Sequence, residues 1–426
     1  MSQSITKRFR IPIAVSSWFT FAVSLTLYWI TADPGVSYWD CPEYVTSASR
    51  LEIGHPPGNP IWMLAMRVAT IPFPASHHAY VINLCSGLFM AFASFFLCRI
   101  ISVPTLLYFN SKPFRKNTTR LKSGIIAGLI SSGSSLCFAL CDSAWFSAVE
   151  AEVYAMSIFL TSLSLWIMMV WWFEKSKSRQ TRLLILLAYI TGLSLGVHQL
   201  NLLLIPVFSL IILYKRYPGW INPFTVLSVI IISIGLIAVI LFLFIPGILF
   251  GAESFELFSV NTLGLPYHSG IIIFMVLLLC LIIISLTTAN HFKFTKINYG
   301  ITTGIWALTF LLLGFSSFGI ILIRGVASPP MNEGTPDNIF ALASYIHRDQ
   351  YPQEPLIYGH TPYSRPMTEE MYIDGKPQYT RYLLEKGKGI YQPYMEGAVL
   401  NHRSRMLTHE DSTSNDEVFK IGRAHV

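Results

Sequence analysis

Apolar runs of about 20 residues recur between positions 11 and 323 of this 426-residue chain, and short polar segments separate them. A helix rises about 1.5 Å per residue, so each run is long enough to cross a hydrocarbon core of about 30 Å. Only 12% of the residues are charged, whereas 53% are apolar. This composition leaves too little polar surface for a soluble domain. We therefore predict an all-α polytopic membrane protein.

The hydropathy pattern predicts nine transmembrane helices. The segment 183–214 is counted as a hairpin of two short helices, and the alternative is one span interrupted by glycines and Pro206. The predicted spans are 11–31, 80–101, 124–141, 151–173, the two arms of 183–214, 226–250, 270–289 and 301–323.

Basic residues gather on one side of these spans. With the N-terminus in the cytoplasm, 16 Lys and Arg residues fall on the cytoplasmic side, whereas the outer loops before the last span hold only Arg50 and Arg67. This asymmetry follows the positive-inside rule. The net charge of +7 is therefore explained by membrane topology, and we expect the lipid bilayer and no nucleic acid as a partner.

The composition divides the chain into a membrane domain, residues 1–323, and a polar, proline-rich segment, residues 324–420. By the parity of the spans this segment lies outside the cytoplasm, and runs such as 355–358 predict an α/β structure for it. The last six residues, 421–426, look like a translated sequencing adapter and are treated as foreign. We expect the natural protein to continue past residue 420.

The first outer loop, 33–78, holds Asp40, Glu43 and His55 among prolines and glycines that restrict the backbone. Its length is far above the roughly 2–8 residues that join two helices, so we predict a structured loop. Paired carboxylates suit acid–base catalysis, and Asp40 and Glu43 are the candidate catalytic residues. The alternative for Asp40 is a helix cap.

Other outer segments add polar candidates. Glu150 and Glu152 lie together in the second outer turn, and His198 lies at the tip of the hairpin. The alternatives are solvated helix ends for the two glutamates and a buried structural role for the histidine. Glu253, Glu256 and His268 are placed in the fourth outer loop. No spacing requires a metal, and a divalent ion held by the carboxylates is left open.

Arg67 and Arg324 are the positive residues best placed to meet a lipid phosphate at the outer leaflet. Arg67 lies in the apolar stretch 61–71, and Arg324 lies at the outer end of the last span. The alternative for both is that their aliphatic stems follow the apolar surface while the charge stays at the interface.

Five segments carry a recognisable pattern, in the order 39–44, 54–60, 146–154, 192–198 and 328–333. Together they resemble a family of bacterial multi-pass membrane proteins long described only as a domain of unknown function. These proteins are similar to the eukaryotic transmembrane O-mannosyltransferase of plexin-type receptors and are grouped with the GT-C glycosyltransferases.

The resemblance implies a GT-C-like enzyme of the bacterial inner membrane with its active site on the extracytoplasmic face. It would move a sugar, mannose by the resemblance, from a polyprenyl phosphate to a hydroxyl of an extracytoplasmic acceptor such as a protein Ser or Thr. Asp40 would be the catalytic base, with Glu43 beside it. The expected substrate- and acceptor-binding residues are His55, Glu150, Glu152, Tyr154 and His198, and the expected phosphate-binding residues are Arg67 and Arg324.

Two other functions fit the same sequence. A flippase or exporter of lipid-linked saccharides needs the same amphiphilic groove but no catalytic base. A non-catalytic membrane scaffold needs neither the base nor the clustered outer carboxylates. Replacement of the carboxylates discriminates among the three hypotheses.

Overall fold

The computed structural model describes residues 10–109, 120–291, 296–351, 379–384 and 391–395. Within these ranges, eight helical segments are long and apolar enough to cross a membrane, in agreement with the predicted all-α polytopic architecture. They are Ile11–Thr31, Ala75–Phe109, Leu121–Ala139, Val153–Phe173, Gln199–Arg216, Pro223–Thr262, Ser269–Thr288 and Gly300–Val326.

The first four spans pack together as a helical bundle. Its long helices are α1 (Arg10–Thr31), α4 (His78–Phe109), α5 (Arg120–Ala139) and α7 (Val153–Phe173), with the short α6 (Asp142–Val149) before α7. Polar groups link them: Thr20 and Ser132 are hydrogen-bonded at 2.8 Å, and the Tyr28 hydroxyl donates to the Ala139 carbonyl at 2.8 Å. Such bonds satisfy polar groups that no water reaches in a bilayer.

The predicted hairpin is two helices, α8 (Lys177–Leu195) and α9 (Leu204–Arg216), joined by the 3₁₀ turn Gln199–Leu203. α8 is absent from the eight apolar segments because Lys177, Arg179 and Arg182 occupy its first turns. It packs along α13 (Lys296–Phe315) in parallel orientation, since Tyr189 meets Phe310 and Gly196 meets Ser317.

The close approach of α8 and α13 depends on two glycines. A Cβ at Gly192 would overlap the Leu311 carbonyl, and a Cβ at Gly314 would lie 2.5 Å from the Leu193 nitrogen. Small residues at these positions bring the two backbones together, as is common between helices in membranes.

The seventh predicted span is longer than expected. α10 (Pro223–Val239), a π-helical turn (Ile240–Phe244), α11 (Ile245–Leu257) and a second π turn (Phe258–Thr262) form a continuous helical segment. Glu253 and Glu256, predicted in a loop, therefore lie on a helix. The buried Glu256 carboxylate accepts hydrogen bonds from the His268 and Ile271 nitrogens at 2.6 and 3.1 Å. It thus caps α12 (Ser269–His291).

The first outer loop is folded, as predicted from its length, and contains α2 (Cys41–Arg50) and α3 (Pro60–Thr70). Trp62 is fully buried, and its indole nitrogen donates to the Glu152 carbonyl oxygen at 3.1 Å. Tyr44 and Met66 share the same apolar cluster with residues of α7 and α8. The loop is therefore part of the protein core.

The last span ends with α14 (Gly319–Val326), and the chain after it returns to the first outer loop through α15 (Ile339–His347). The Ile53 nitrogen donates to the Met331 carbonyl at 3.0 Å, and the Tyr345 hydroxyl donates to the Gly54 carbonyl at 2.6 Å. Two antiparallel strands follow, β1 (Tyr379–Leu384) and β2 (Tyr391–Met395). The run 355–358 and the adapter-like residues lie outside the described residues, so the α/β structure of the whole segment stays a prediction.

Candidate active site

Asp40 lies at the N-terminal end of α2, between the exposed Trp39 and the buried Cys41. Its side chain is exposed and makes no capping hydrogen bond to the helix. Trp39 is 93% exposed and has a φ of +61°, a backbone conformation that is unfavourable for an aromatic residue. The geometry thus does not support the helix-cap interpretation of Asp40, and the carboxylate is accessible from outside the protein.

Glu43 lies in the first turn of α2 and binds His55 across the loop. Its Oε1 accepts a hydrogen bond from the His55 backbone nitrogen at 2.6 Å and lies 2.8 Å from His55 Nδ1. Gly54 permits this approach, because a Cβ there would overlap Glu43 Oε1. The hydrogen bond from Glu43 raises the pKa of His55 above 6.5, although burial acts in the opposite direction. The pair therefore favours an imidazolium ion.

Glu150 and Glu152 lie between α6 and α7 and face the same region. The Glu150 carboxylate accepts a hydrogen bond from the Ser37 hydroxyl at 2.7 Å. Glu152 is 9% exposed, and burial, reinforced by the negative charge of Asp40, raises its pKa from 4.5 to about 7. A carboxyl group with this pKa is protonated in about half of the molecules at neutral pH.

Tyr154 and His198 form the other side of this region. Their rings are 5.4 Å apart between centroids. His198 Nδ1 accepts a hydrogen bond from the Leu200 nitrogen at 3.2 Å, and burial lowers the pKa of the histidine below 6.5. His198 is therefore a neutral imidazole at pH 7, with a structural role at the start of the 3₁₀ turn and an aromatic contact to Tyr154.

Several residues of this region were missed as site residues. Glu333 lies in one of the motifs, and burial together with the charge of Glu43 raises its pKa. Tyr345 and the buried Glu52 line a small cavity of about 10 Å³ with Glu43 and His55. The motif around Glu333 could have identified that residue, whereas nothing in the sequence pattern indicated Tyr345.

Arg67 and Arg324 both bind the C-terminal end of α2. The Arg67 guanidinium donates to the Ser49 carbonyl at 2.5 Å, and the Arg324 guanidinium donates to the Leu51 carbonyl at 2.6 Å. Cations are favourable at this negative end of a helix. Each arginine thus has a structural role, and phosphate binding by either one stays a prediction.

The described residues contain no group of three or more His, Cys, Asp or Glu side chains placed to hold a metal ion. The candidate site combines three kinds of group that are able to transfer protons: an accessible carboxylate, a buried carboxyl group with a pKa of about 7 and a carboxylate–imidazole pair. Such an arrangement can remove a proton from a hydroxyl group and stabilise developing negative charge.

Comparison with known proteins supports a relation to one family. Residues 40–221 match the family model described as "Protein O-mannosyl-transferase TMEM260 N-terminal domain". The mouse protein O-mannosyl-transferase TMEM260 is 26% identical over 137 residues, which are 32% of this chain and 17% of the mouse protein. The chain therefore matches less than a fifth of this curated relative. No solved structure matches the chain. The matched segment begins at Asp40 and includes Glu43, Glu150 and His198, so most of the described site lies in the part of the chain that is related to this family.

Proposed function

We propose that this protein is a membrane glycosyltransferase that moves a sugar, mannose by analogy with the relatives, from a polyprenyl phosphate to a hydroxyl group of an extracytoplasmic acceptor. A Ser or Thr side chain of a protein is the acceptor that the relatives suggest. The observation that supports this most strongly is the accessible, uncapped Asp40 beside a buried Glu152 whose pKa is about 7. Neighbouring carboxyl groups with different environments suit different roles in acid–base chemistry.

In the proposed reaction, Asp40 accepts the proton of the acceptor hydroxyl as its oxygen attacks the anomeric carbon of the sugar. The bond from that carbon to the phosphate oxygen breaks on the opposite face, so the configuration is inverted. The phosphate leaves with the electron pair of the broken bond. Asp40 is the one residue to which we assign direct proton transfer.

Neighbouring residues support this step. Protonated Glu152 donates a hydrogen bond to a hydroxyl of the acceptor or the sugar, a role that its raised pKa allows at neutral pH. The Glu43–His55 pair supplies a positive imidazolium near the site, and this charge stabilises the leaving phosphate. Glu150 and Tyr154 shape the acceptor side of the site.

We further propose that the site faces the extracytoplasmic side. The parallel packing of α8 against α13 supports two crossings in the 177–216 region, because a helix that runs beside a spanning helix over most of its length crosses the same layer. This adds a ninth span to the eight apolar segments and keeps most of the basic residues between spans on the cytoplasmic side, with Arg50 and Arg67 in the first outer loop as the exceptions. A bacterial plasma membrane fits this orientation.

A transfer assay tests the proposal. Membranes containing the protein are given a panel of radiolabelled polyprenyl-phosphate sugars and a Ser/Thr-rich acceptor peptide, and labelled peptide is counted. We expect Asp40→Asn to abolish transfer at unchanged expression. Asp142→Asn, which removes an exposed carboxylate from the neighbouring α6, is the matched control and should retain activity.

Two results would contradict the proposal. Full transfer by Asp40→Asn would exclude Asp40 as the base. If reconstituted protein moves labelled lipid across vesicles without forming a sugar–peptide product, the chain is a flippase.

A further inference from the structure

A second cavity, of about 300 Å³, lies beside the acidic site. This volume is at the lower end of the range of about 300–1,000 Å³ that ligand pockets have. Its walls come from α8, the π turn before α11, the end of α13 and the following 3₁₀ turn, and they are largely apolar. The main apolar residues are Leu195, Leu241, Phe242, Ile245, Phe315 and Phe318.

The cavity opens where the long helix is locally widened. Pro246 has no N–H to donate to the carbonyl of Phe242 four residues earlier, and the backbone forms a π turn over Ile240–Phe244. Phe242 lines the cavity and is 76% exposed on a segment long and apolar enough to span a membrane. A hydrocarbon chain can therefore enter the cavity from the bilayer without crossing water.

The cavity lining also contains polar and positive residues. His347 and Arg348 line it at the C-terminal end of α15, and Gln199 lines it at the start of the 3₁₀ turn Gln199–Leu203. The Arg348 guanidinium carbon lies 4.3 Å from the centre of the Tyr351 ring, a contact that orients the side chain. Among the residues whose side chains are described, no carboxylate lies within ion-pair distance of Arg348. The guanidinium is therefore able to bind an anion.

The cavity and the acidic site share one turn of the chain. Pro57 lines the large cavity, whereas its neighbours His55 and Gly58 line the small cavity that contains Glu43. An anionic head group bound by Arg348 would thus lie next to the turn that carries His55, whose imidazolium is proposed to stabilise the leaving phosphate. Neither Arg67 nor Arg324 lines the large cavity, and both already donate to carbonyls of α2.

We propose that the large cavity binds the hydrocarbon chain of a lipid phosphate and that Arg348, with His347 and Gln199, binds the phosphate. The apolar walls match an isoprenoid chain, and the guanidinium matches phosphate oxygens in charge and geometry. This inference rests on the proposed function in identifying the lipid as the sugar carrier. The binding itself is testable without any transfer reaction.

Farnesyl phosphate, a short isoprenoid monophosphate, is the probe, and farnesol and inorganic phosphate are its matched controls. Binding to the purified full chain is followed by native mass spectrometry. We expect the protein to bind farnesyl phosphate and to bind each control at least tenfold more weakly. Farnesol lacks the phosphate group, and inorganic phosphate lacks the hydrocarbon chain. Equal binding of farnesol would overturn the assignment of the phosphate site.

Two pairs of variants locate the probe. Arg348→Ala should weaken binding about tenfold or more, the usual effect of losing a charged hydrogen bond. Arg50→Ala, which removes an outer arginine whose side chain is 71% exposed, should have no effect. Leu241→Trp should block the cavity, whereas Leu243→Trp, at a position that is 66% exposed and outside the cavity, should not. Unchanged binding in Arg348→Ala or in folded Leu241→Trp would overturn the proposal.

The sugar-transfer assay separates this inference from the proposed function. If Arg348→Ala transfers sugar as well as the unmodified protein, the lipid site is wrong and the enzyme assignment stands. If no protein transfers sugar but farnesyl phosphate binding depends on Arg348, the lipid site stands and the enzyme assignment is wrong.

Discussion

Replacement of Glu152 by glutamine is expected to remove a large part of the pH dependence of stability. The pKa of Glu152 is about 7 in the folded protein, against an ordinary value of 4.5. The folded state therefore holds this proton more tightly than the unfolded state, and stability falls as the pH rises from about 4.5 to about 7. The difference between the two pKa values corresponds to a loss on the order of 3 kcal/mol at pH 8.

Glutamine keeps the size of the side chain and cannot ionise, so the variant avoids this loss. Thermal unfolding in detergent, followed by the fluorescence of the ten tryptophans, measures the effect at pH 5 and pH 8. We expect similar midpoints at pH 5 and a midpoint a few degrees higher for Glu152→Gln at pH 8. The protonation of His55 also changes with pH, but His55 is present in both proteins. The difference between their unfolding midpoints therefore reports the contribution of Glu152.

Asp142→Asn serves as the control, because it removes an exposed carboxylate from the same outer turn. Its midpoint should follow that of the unmodified protein at both pH values. If Glu152→Gln and the unmodified protein lose the same stability between pH 5 and pH 8, burial of the carboxyl group does not raise its pKa and the reasoning is refuted.

Three further predictions concern the loop and the helix packing. Glu43→Gln should lower the free energy of unfolding by about 1–3 kcal/mol at pH 5.5 and by less at pH 8.5. The bond from Glu43 to the His55 imidazolium stabilises the fold below pH 6.5, and this stabilisation is lost as the pH rises through the raised pKa of His55. Equal losses at both pH values would contradict this. Tyr345→Phe should lower the unfolding midpoint by the equivalent of about 1–3 kcal/mol, because the half-buried carbonyls of Gly54 and His55 lose their hydrogen-bond donor. An unchanged midpoint would show that the hydroxyl does not anchor the outer segment. Gly192→Ala should reduce the yield of folded protein in size-exclusion chromatography. Gly304→Ala on α13 should not, because a Cβ there would have no other atom within 4 Å. Equal yields would show that α8 and α13 are not tightly packed.

The sequence was sufficient to predict a helical membrane protein, because spanning helices depend on local properties of the chain. The length and apolarity of each run predict a spanning helix, and the structure places helices on all the predicted spans. The ends of the helices were less predictable. Glu253 and Glu256 look like loop residues by polarity, but the Glu256 carboxylate is satisfied by backbone nitrogens of a helix that begins 13 positions later.

The acidic residues of the site were also recognisable, since Asp40, Glu43, Glu150 and Glu152 stand out in outer segments of a chain with few charges. The sequence by itself therefore determined that this is a polytopic helical membrane protein, and with the family resemblance it indicated a candidate site and a candidate chemistry. Only the tertiary structure decided the environment of each group. Burial and the charge of Asp40 raise the pKa of Glu152, and such effects depend on distance in space.

The same reason explains the basic residues. Arg324 binds a carbonyl at Leu51, and Tyr345 binds one at Gly54, across more than 270 positions of the chain in each case. No local sequence pattern predicts contacts between residues so far apart in the chain. The sequence identified arginines near the outer face, but the fold determined that Arg67 and Arg324 bind carbonyls of α2 and that Arg348 lines a largely apolar cavity. Long-range packing, which decides where each charge lies and what it contacts, is the part that only the tertiary structure supplies.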